Sequence, residues 1–578
     1  MKYSILLLVA MFGFSYSSAQ VNMKFTNPVM NEILSGEYNP VDYMSVKDYS
    51  SPEALVGMLS EAVNPDSLKS YLLQLRKFEN RNTGSDTLSS TRGIGAARDW
   101  ILDQFETISS EVDGRLVTGF FQFDQEVCGM MRHKNVTALL PGTDPNAELI
   151  IIEAHMDSRC ETGCDIDCLA QGMEDNGSGT ALVIELARTM SPFAYRNSIM
   201  FVTTTGEEQG LIGANALAEY IQVNEIGLKL VQNNDVIGGI ICGETSSPPS
   251  CPGLNEVDST QVRLFSRGNF NSPSKGVARF VKLQYQEMLK PIVSVPMMLT
   301  LMSAEDRTGR GGDHIPFRER GYAAMRFTSA NEHGNASNGV DYHDRQHTSG
   351  DILGVDTDSD GELDSFFVDF NYLARNVRIN ATAAAMAAIG PVTPSIVEYY
   401  FDGDVFYIEV SSEIDYPQYV VGIRTDFIDF DSLYYLNNTK AGFFETAARE
   451  LSIVLTVASI DSNGVESLFS EEIITVLSGT AHPGVTTGKP IKLMGNRPNP
   501  FDESTMLSFW VEDEINYSDA YIAITDANGK LVARLGTDVV KGLNEVLYFH
   551  GYGASGYLTQ TLVINGKVVD SKVMVFAN

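Results

Sequence analysis

The sequence predicts an α/β fold: a mixed, mostly parallel sheet with helices on both faces, followed by two small all-β sandwich units. Three observations carry this expectation. Leu149-Ile150-Ile151-Ile152 is a continuous apolar run, as in a strand buried on both faces. Around it, short apolar or β-branched runs alternate with longer stretches of helical period. From about Pro394 the helical period stops, and only strands and turns follow.

The elements run in this order. Lys2, the apolar run Ile5 to Phe14 and the small residues Ser17-Ser18-Ala19 predict a signal peptide over 1–19, cleaved before Gln20. Its apolar run is too short to span a bilayer. A leader without clear period covers 20–50. Ala54 to Phe78 and Ala96 to Ile108 have the spacing of helices, as do Gly179 to Met190 and Leu211 to Ile221. Ser198 to Thr205 reads as a strand. Val236 to Cys242 and Ala323 to Thr328 are further short apolar runs. A last helix, Val368 to Ala388, stops at Gly390-Pro391, so the first unit spans 20–392. The second, 393–480, contains the strands Val405 to Val410 and Leu451 to Ile460, the latter followed by the turn Asp461-Ser462-Asn463-Gly464. A Gly/Thr/Pro-rich linker, Ser478 to Pro490, leads into a third unit over 488–578.

Composition narrows the function. At 578 residues with 43% hydrophobic and 20% charged residues, the chain has the make-up of a globular protein of several domains. A formal charge of -33 repels nucleic acid and anionic membranes, and its carboxylates suit hard cations. No stretch after the signal peptide is long and apolar enough to cross a membrane. The six cysteines are Cys128, Cys160, Cys164, Cys168, Cys242 and Cys251. In an exported chain an even number reads as disulfides. Cys242 and Cys251 bracket a Ser/Pro-rich loop and are spaced to pair. Cys160, Cys164 and Cys168 also have a spacing that suits a metal, though disulfides including Cys128 are the preferred reading; the connectivity stays open.

The chemistry-bearing residues stand where strands end, the ligand-binding edge of an open α/β sheet. Leu149 to Ile152 runs into His155-Met156-Asp157, and Ser198 to Thr205 runs into Gly206-Glu207-Glu208-Gln209-Gly210. Between them Glu174-Asp175-Asn176-Gly177-Ser178-Gly179 opens a helix; Asp235 and Tyr342-His343 follow later. Imidazoles with carboxylates suit zinc. Each piece alone is common: paired glutamates are usually a solvated face, and an Asp before a helix is often a cap. Their combination in this order is not.

These motifs resemble metallopeptidase family twenty-eight, the bacterial leucyl-aminopeptidase type related to glutamate carboxypeptidase II and the glutaminyl cyclases, over about Ala54 to Ala388. The resemblance implies a zinc-exopeptidase fold, two zinc ions and peptide substrates. It implies that Asp175 bridges the ions, that Glu208 and His343 complete one site, and that His155 and Asp235 complete the other. It makes Glu207 the general base, Asp157 the carboxylate orienting His155, and Tyr342 an oxyanion partner. Asp313 and His314, in Asp313-His314-Ile315-Pro316-Phe317, fall near the substrate. Hydrolysis of N-terminal residues through metal-activated water is the implied reaction. A mono-zinc glutaminyl-cyclase-like acyltransferase and a carboxypeptidase of the same family are the alternatives, and a non-catalytic adhesin a third reading. Three features depart from the family: the Asp that many members carry four residues after the last His ligand is replaced by His347, Arg159 to Met173 is Cys-rich, and the insert Asp356 to Asp364 is unusual.

Two further resemblances lie downstream. The second unit resembles a fibronectin type III module. The third, with Asn496-Arg497-Pro498-Asn499-Pro500-Phe501, Ile524 to Lys530, Gly556-Tyr557 and Lys572 to Phe576, resembles the C-terminal sorting domain of type IX secretion. That implies contact with the secretion machinery and a secreted or cell-surface destination. Asp356, Asp358, Asp360 and Asp364 also have the alternating oxygen ligands of a calcium loop, without the glutamate of an EF-hand.

Overall fold

The computed structural model describes residues 20–241, 257–268, 271–307, 310–330 and 345–576, apart from 403–404, 426–427, 446–451, 477–490, 498, 500, 502–503, 513–516, 518, 527–529 and 551–555. The expected signal peptide, the pair Cys242 and Cys251, Tyr342, His343 and the linker to Pro490 lie outside the described residues.

Among the described residues nine strands form one mixed sheet: β1 (Val21–Phe25), β2 (Val117–Val127), β3 (Met130–Leu140), β4 (Leu149–His155), β5 (Ile199–Thr204), β6 (Leu228–Asn234), β7 (Gln261–Phe265), β8 (Met298–Leu301) and β9 (Ala324–Ser329). Their order is β1-β2-β3-β5-β4-β6-β9-β7-β8. The centre, β5-β4-β6-β9, is parallel. β1, β2 and β3 add antiparallel strands at one edge, and β7 runs antiparallel to β9. Every residue of β4 is buried, which is why it reads as an unbroken apolar run without alternation.

Among the described residues nine α-helices accompany the sheet: α1 (Val29–Leu34), α2 (Pro52–Ala62), α3 (Pro65–Leu75), α4 (Gly93–Glu111), α5 (Ser178–Met190), α6 (Ile212–Val223), α7 (Pro273–Gln284), α8 (His314–Glu319) and α9 (Phe370–Ile389). Helices α2, α3, α4, α5 and α9 join the larger apolar core, and α1 and α6 the smaller core on the opposite face. The single helix expected over Ala54 to Phe78 is two. Asn64 precedes Pro65, which disfavours helical backbone, and its side chain caps α3 by accepting from Asp66 N–H at 2.9 Å. The run Val236 to Cys242 was expected to be apolar sheet material, but the strand is β6, just before it. The polar end of β6, Gln232-Asn233-Asn234, disguises it, and all three residues are buried.

The chain steps from β4 through α5 to β5 on one side of β4, then through α6 to β6 on the other. That reversal opens a crevice at the carboxyl ends of the central strands. Asp175 and Asp235 are brought together there because α5 begins almost in contact with β6. A Cβ on Gly179 would lie 2.3 Å from the Asn234 carbonyl oxygen, so only glycine allows the approach.

Beyond Pro391 the described elements are small antiparallel sheets. Ser395–Asp402, Val405–Ser411 and Ala441–Glu445 form one; Gln418–Arg424, Ser432–Asn437, Ser452–Ile460 and Ile473–Val476 form the next. Two more, of three and four strands, follow between Ile491 and Phe576 around their own apolar core. The first pair is tied to α7 by buried ions. Glu472 accepts from Arg279 at 2.6 Å, from Arg424 at 2.9 and 2.6 Å, and from Asn271 N–H at 2.6 Å.

Candidate metal centre

Each polar residue at the crevice is delivered by the end of a strand or the start of a helix. His155 is the last residue of β4, Asp235 follows β6, and Asp175 lies just before α5. Glu207 and Glu208 follow β5 in a turn closed by Gly210 N–H to Glu207 O at 2.8 Å. Adjacent residues of a strand point to opposite faces. These two do not alternate, because Gly206 at φ +76 has already turned the chain.

Two trios result. Metal-ligating atoms of His155, Glu207 and Asp235 lie within 4.8 Å of one another, as do those of Asp175, Glu208 and His347. Asp175 joins them. Its Oδ1 is 3.1 Å from His155 Nε2, and its Oδ2 is 3.0 Å from His347 Nε2. His155 Nε2 is also 3.4 Å from Asp235 Oδ1, and His347 Nε2 is 3.2 Å from Glu208 Oε2. Three of the atoms aimed inward, His155 Nε2, Asp235 Oδ1 and Glu208 Oε1, are buried without a hydrogen bond among the described residues. Buried polar atoms normally find partners, and unpaired ones mark a missing ion or water. The donors are imidazole nitrogens and carboxylate oxygens, the set zinc takes. The residues therefore fit two zinc ions that share Asp175.

Electrostatics agree with a cation site. Burial pushes Glu207 and Glu208 well above the usual carboxylate range, and neighbouring carboxylates push them further. Burial also raises Asp175, but the two imidazoles facing it outweigh that and hold it well below its ordinary value. Burial, with Arg310 and Arg159 nearby, lowers His347 to about 4, so its ring is neutral and able to bind a metal. Burial opposes the charge on His155, but Glu207 and Asp235 raise it strongly.

The third group of the Asp175–Glu208 trio was expected to be His343, which lies outside the described residues; the structure puts His347 there. With His347 in that place the apparent departure from the family disappears, because the residue four positions on is Asp351. Asp351 accepts from Glu174 N–H at 2.9 Å and from Asp175 N–H at 3.0 Å, fixing the loop that carries Asp175. The sequence signal was present: His347-Thr348-Ser349-Gly350-Asp351 has the four-residue offset.

The expected hydrogen bond from His155 to the Asp157 carboxylate is made instead by the Asp157 main-chain carbonyl, 3.1 Å from His155 Nδ1, with the carboxylate 3.6 Å away. The two carboxylate oxygens of Asp157 accept from Glu207 N–H at 3.3 Å and Glu208 N–H at 3.2 Å. One carboxylate thus positions both trios. Arg326 was missed. Fully buried, it stands 3.2 Å from Asp235 Oδ2 and 2.8 Å from Asp306 Oδ2, and it offsets the burial that would raise Asp235. Asp313 accepts from Thr204 Oγ1, and burial raises it to about 7. His314 Nε2 is 3.2 Å from the Glu305 carbonyl oxygen; neither Asp313 nor His314 joins a trio.

The even cysteine spacing is a disulfide pattern: Cys128 pairs with Cys164 and Cys160 with Cys168. Of the acidic loop, Asp356, Asp358 and Asp360 come together, while Asp364 accepts from Thr357 N–H at 2.6 Å. No helix among the described residues is long and apolar enough to cross a membrane.

Comparison with known proteins gives the geometry a family context. The sequence pattern of peptidase family M28 matches residues 135–240, the segment carrying every trio member except His347. The chain is 30% identical over 356 residues to a "probable zinc metalloprotease" of Leptosphaeria maculans, covering 60% of this chain and 79% of that protein. It is 27% identical over 440 residues to another, from Pyrenophora tritici-repentis, covering 72% and 96%. Among solved structures, the LapA aminopeptidase of Legionella pneumophila aligns with a TM-score of 0.41 at 19% identity, covering 60% of this chain and 76% of that one.

Proposed function

The chain belongs to peptidase family M28 and is a zinc metallopeptidase, and from that premise we propose that it is a two-zinc aminopeptidase. The observation that carries the reading is the single carboxylate of Asp175 presenting one oxygen to each of two imidazoles, His155 and His347. In this reading Asp235 completes the His155 site and Glu208 the His347 site. Zinc held by these residues would polarise the scissile carbonyl and lower the pKa of water. Glu207, half-buried at the crevice, accepts a proton from the attacking water and returns it to the leaving amine. Asp157 keeps Glu207 and Glu208 in register through their N–H groups.

A mono-zinc cyclase needs one set of ligands; a second set, His155, Asp175 and Asp235 beside Asp175, Glu208 and His347, argues for the two-metal hydrolase. The test is a panel of free and N-blocked peptides with zinc analysis of the same sample. Release of N-terminal residues from free peptides alone, with two zinc ions per chain, supports the reading. Cleavage of blocked peptides from the C-terminus, or cyclisation of N-terminal glutamine with one zinc, would replace it.

Export through a signal peptide and a C-terminal type IX sorting domain is part of the same proposal, as is a fibronectin type III-like role for 393–480. Loss of surface display on deletion of Lys492 to Asn578 tests the sorting role. A calcium ion on Asp356, Asp358 and Asp360 is tested by melting with zinc held saturating: calcium must raise the transition.

A further inference from the structure

Arg159 opens the Cys-rich segment between β4 and α5, and that segment is held from several directions. Cys160–Cys168 closes it on itself, and Cys128–Cys164 anchors it to the turn between β2 and β3. Asn82 and Gln209 donate to the Gly163 carbonyl at 2.8 and 2.9 Å, and the buried Arg81 donates to the Gly172 carbonyl at 3.0 Å. A stretch that sequence reading sets aside as unusual is therefore a rigid mount. What it mounts is a guanidinium at the rim of the metal centre. Arg159 Nε is 2.9 Å from Glu208 Oε2, and its Nη2 is 2.6 Å from His347 Nδ1. Arg310 approaches from the opposite loop, with Nη1 2.7 Å from the same His347 Nδ1. The Arg159 side chain is 25% exposed, so it faces both the centre and the solvent.

These contacts cannot persist when the site is loaded. A neutral imidazole carries one proton. If its Nε2 lone pair goes to zinc, the proton sits on Nδ1, and Nδ1 no longer accepts from either guanidinium. Glu208 then gives its charge to the metal. Two zinc ions more than cancel the carboxylates of Asp175, Asp235 and Glu208, so the rim turns from balanced to cationic. A planar guanidinium fixed on a stapled loop at such a rim matches a carboxylate in geometry and charge.

Resting on the two-zinc peptidase reading, we propose that Arg159, with Arg310 beside it, is a carboxylate subsite that selects substrates bearing a carboxylate close to the scissile bond. The carboxylate has two sources: an acidic side chain at the N-terminal residue, or the free C-terminus of a very short peptide. Arg159 is then a specificity-determining residue, and this chain processes acidic N-termini or small peptides in preference to long neutral ones.

The test uses the full zinc-loaded chain. kcat/KM is measured for Leu-Ala against Leu-Ala-amide, and for N-terminal Asp and Glu against Asn and Gln in otherwise identical amides. A charged hydrogen bond of the usual strength predicts a preference of roughly 10- to 100-fold for the carboxylate member of one pair. The pair that shows it identifies the source. Arg159→Ala should bring that ratio close to one with the zinc count unchanged, and Arg159→Lys should restore part of it. Calorimetry with D-Leu-D-Leu and its amide provides a readout independent of turnover: the acid should bind more tightly to the wild type, and Arg159→Ala should remove the difference. Equal kcat/KM within both pairs, or ratios untouched by Arg159→Ala and Arg310→Ala, overturns the subsite while the peptidase reading stands. If no peptide is cleaved the peptidase reading fails, and calorimetry alone then upholds or overturns the subsite.

Discussion

Charge is buried in two parts of this molecule, and the surroundings differ. At the junction between α7 and the first small β unit, Glu472 is held by Arg279, Arg424 and the Asn271 N–H, and the side chains of all three ionic partners are at most 6% exposed. At the carboxyl ends of the central strands, Asp175, Glu207, Glu208 and Asp235 crowd around two imidazoles, and several inward atoms lack hydrogen bonds. The junction is closed by the protein's own cations, whereas at the crevice inward imidazole and carboxylate atoms stay without hydrogen bonds among the described residues and are free to take an added cation. Burying charge costs free energy in both places. In the first it is offset within the fold and fixes how two units meet; in the second it is left open, which is what makes the crevice a metal site.

Four changes press on this contrast. The largest effect falls on Glu207, which in the proposed roles handles a proton. Glu207→Ala should lose about 10²–10⁴-fold in kcat, the usual worth of a placed general base, while the melting curve stays normal. Wild-type turnover in this variant would remove Glu207 from the chemistry. At the junction, Glu472→Ala strands two buried guanidiniums and should cost roughly 3–5 kcal/mol by denaturant unfolding. A cost under about 0.5 kcal/mol would make it an ordinary surface pair. Chelation should destabilise the crevice but not the junction: with ligand at a hundred times its Kd, removing one ion lowers stability by about 2.7 kcal/mol. An unchanged melting curve after dialysis against chelator would contradict a structural share for the metal.

The fourth effect is one of pH. Burial, with Glu287 nearby, raises Glu466 to about 8 from 4.5. It is uncharged in the folded protein where the unfolded chain is ionised. Its contribution is complete below about 4.5 and is lost as pH rises through about 8. Stability should fall across that window, and Glu466→Gln, which keeps the contact to Gln284 without a titrating group, should flatten the fall. An identical slope in both proteins would show that Glu466 does not contribute.

Much of this was readable beforehand, for definable reasons. β4 and β5 are buried on both faces, so their apolar runs announce them, and the ligands that follow are found by looking where those runs stop. β6 hid because its last three residues are polar and face inward. His347 stands where the family resemblance implies His343, four residues earlier; the offset to Asp351 points to it, and its physical basis is the pair of N–H bonds that Asp351 accepts from the Asp175 loop. Arg326 gave no local signal, because its role depends on β9 lying beside β6, a pairing between residues far apart in sequence. The cysteine spacing suggested disulfides but not partners, since Cys128 reaches Cys164 only through the fold.

The proposed function has Asp175 hold two zinc ions, one with His155 and one with His347. Zinc analysis of purified wild type, His347→Ala and His343→Ala tests it most directly. The expected result is two zinc ions per chain in the wild type, one in His347→Ala and two in His343→Ala. A wild type that binds one zinc, or a His347→Ala protein that still binds two, would contradict it.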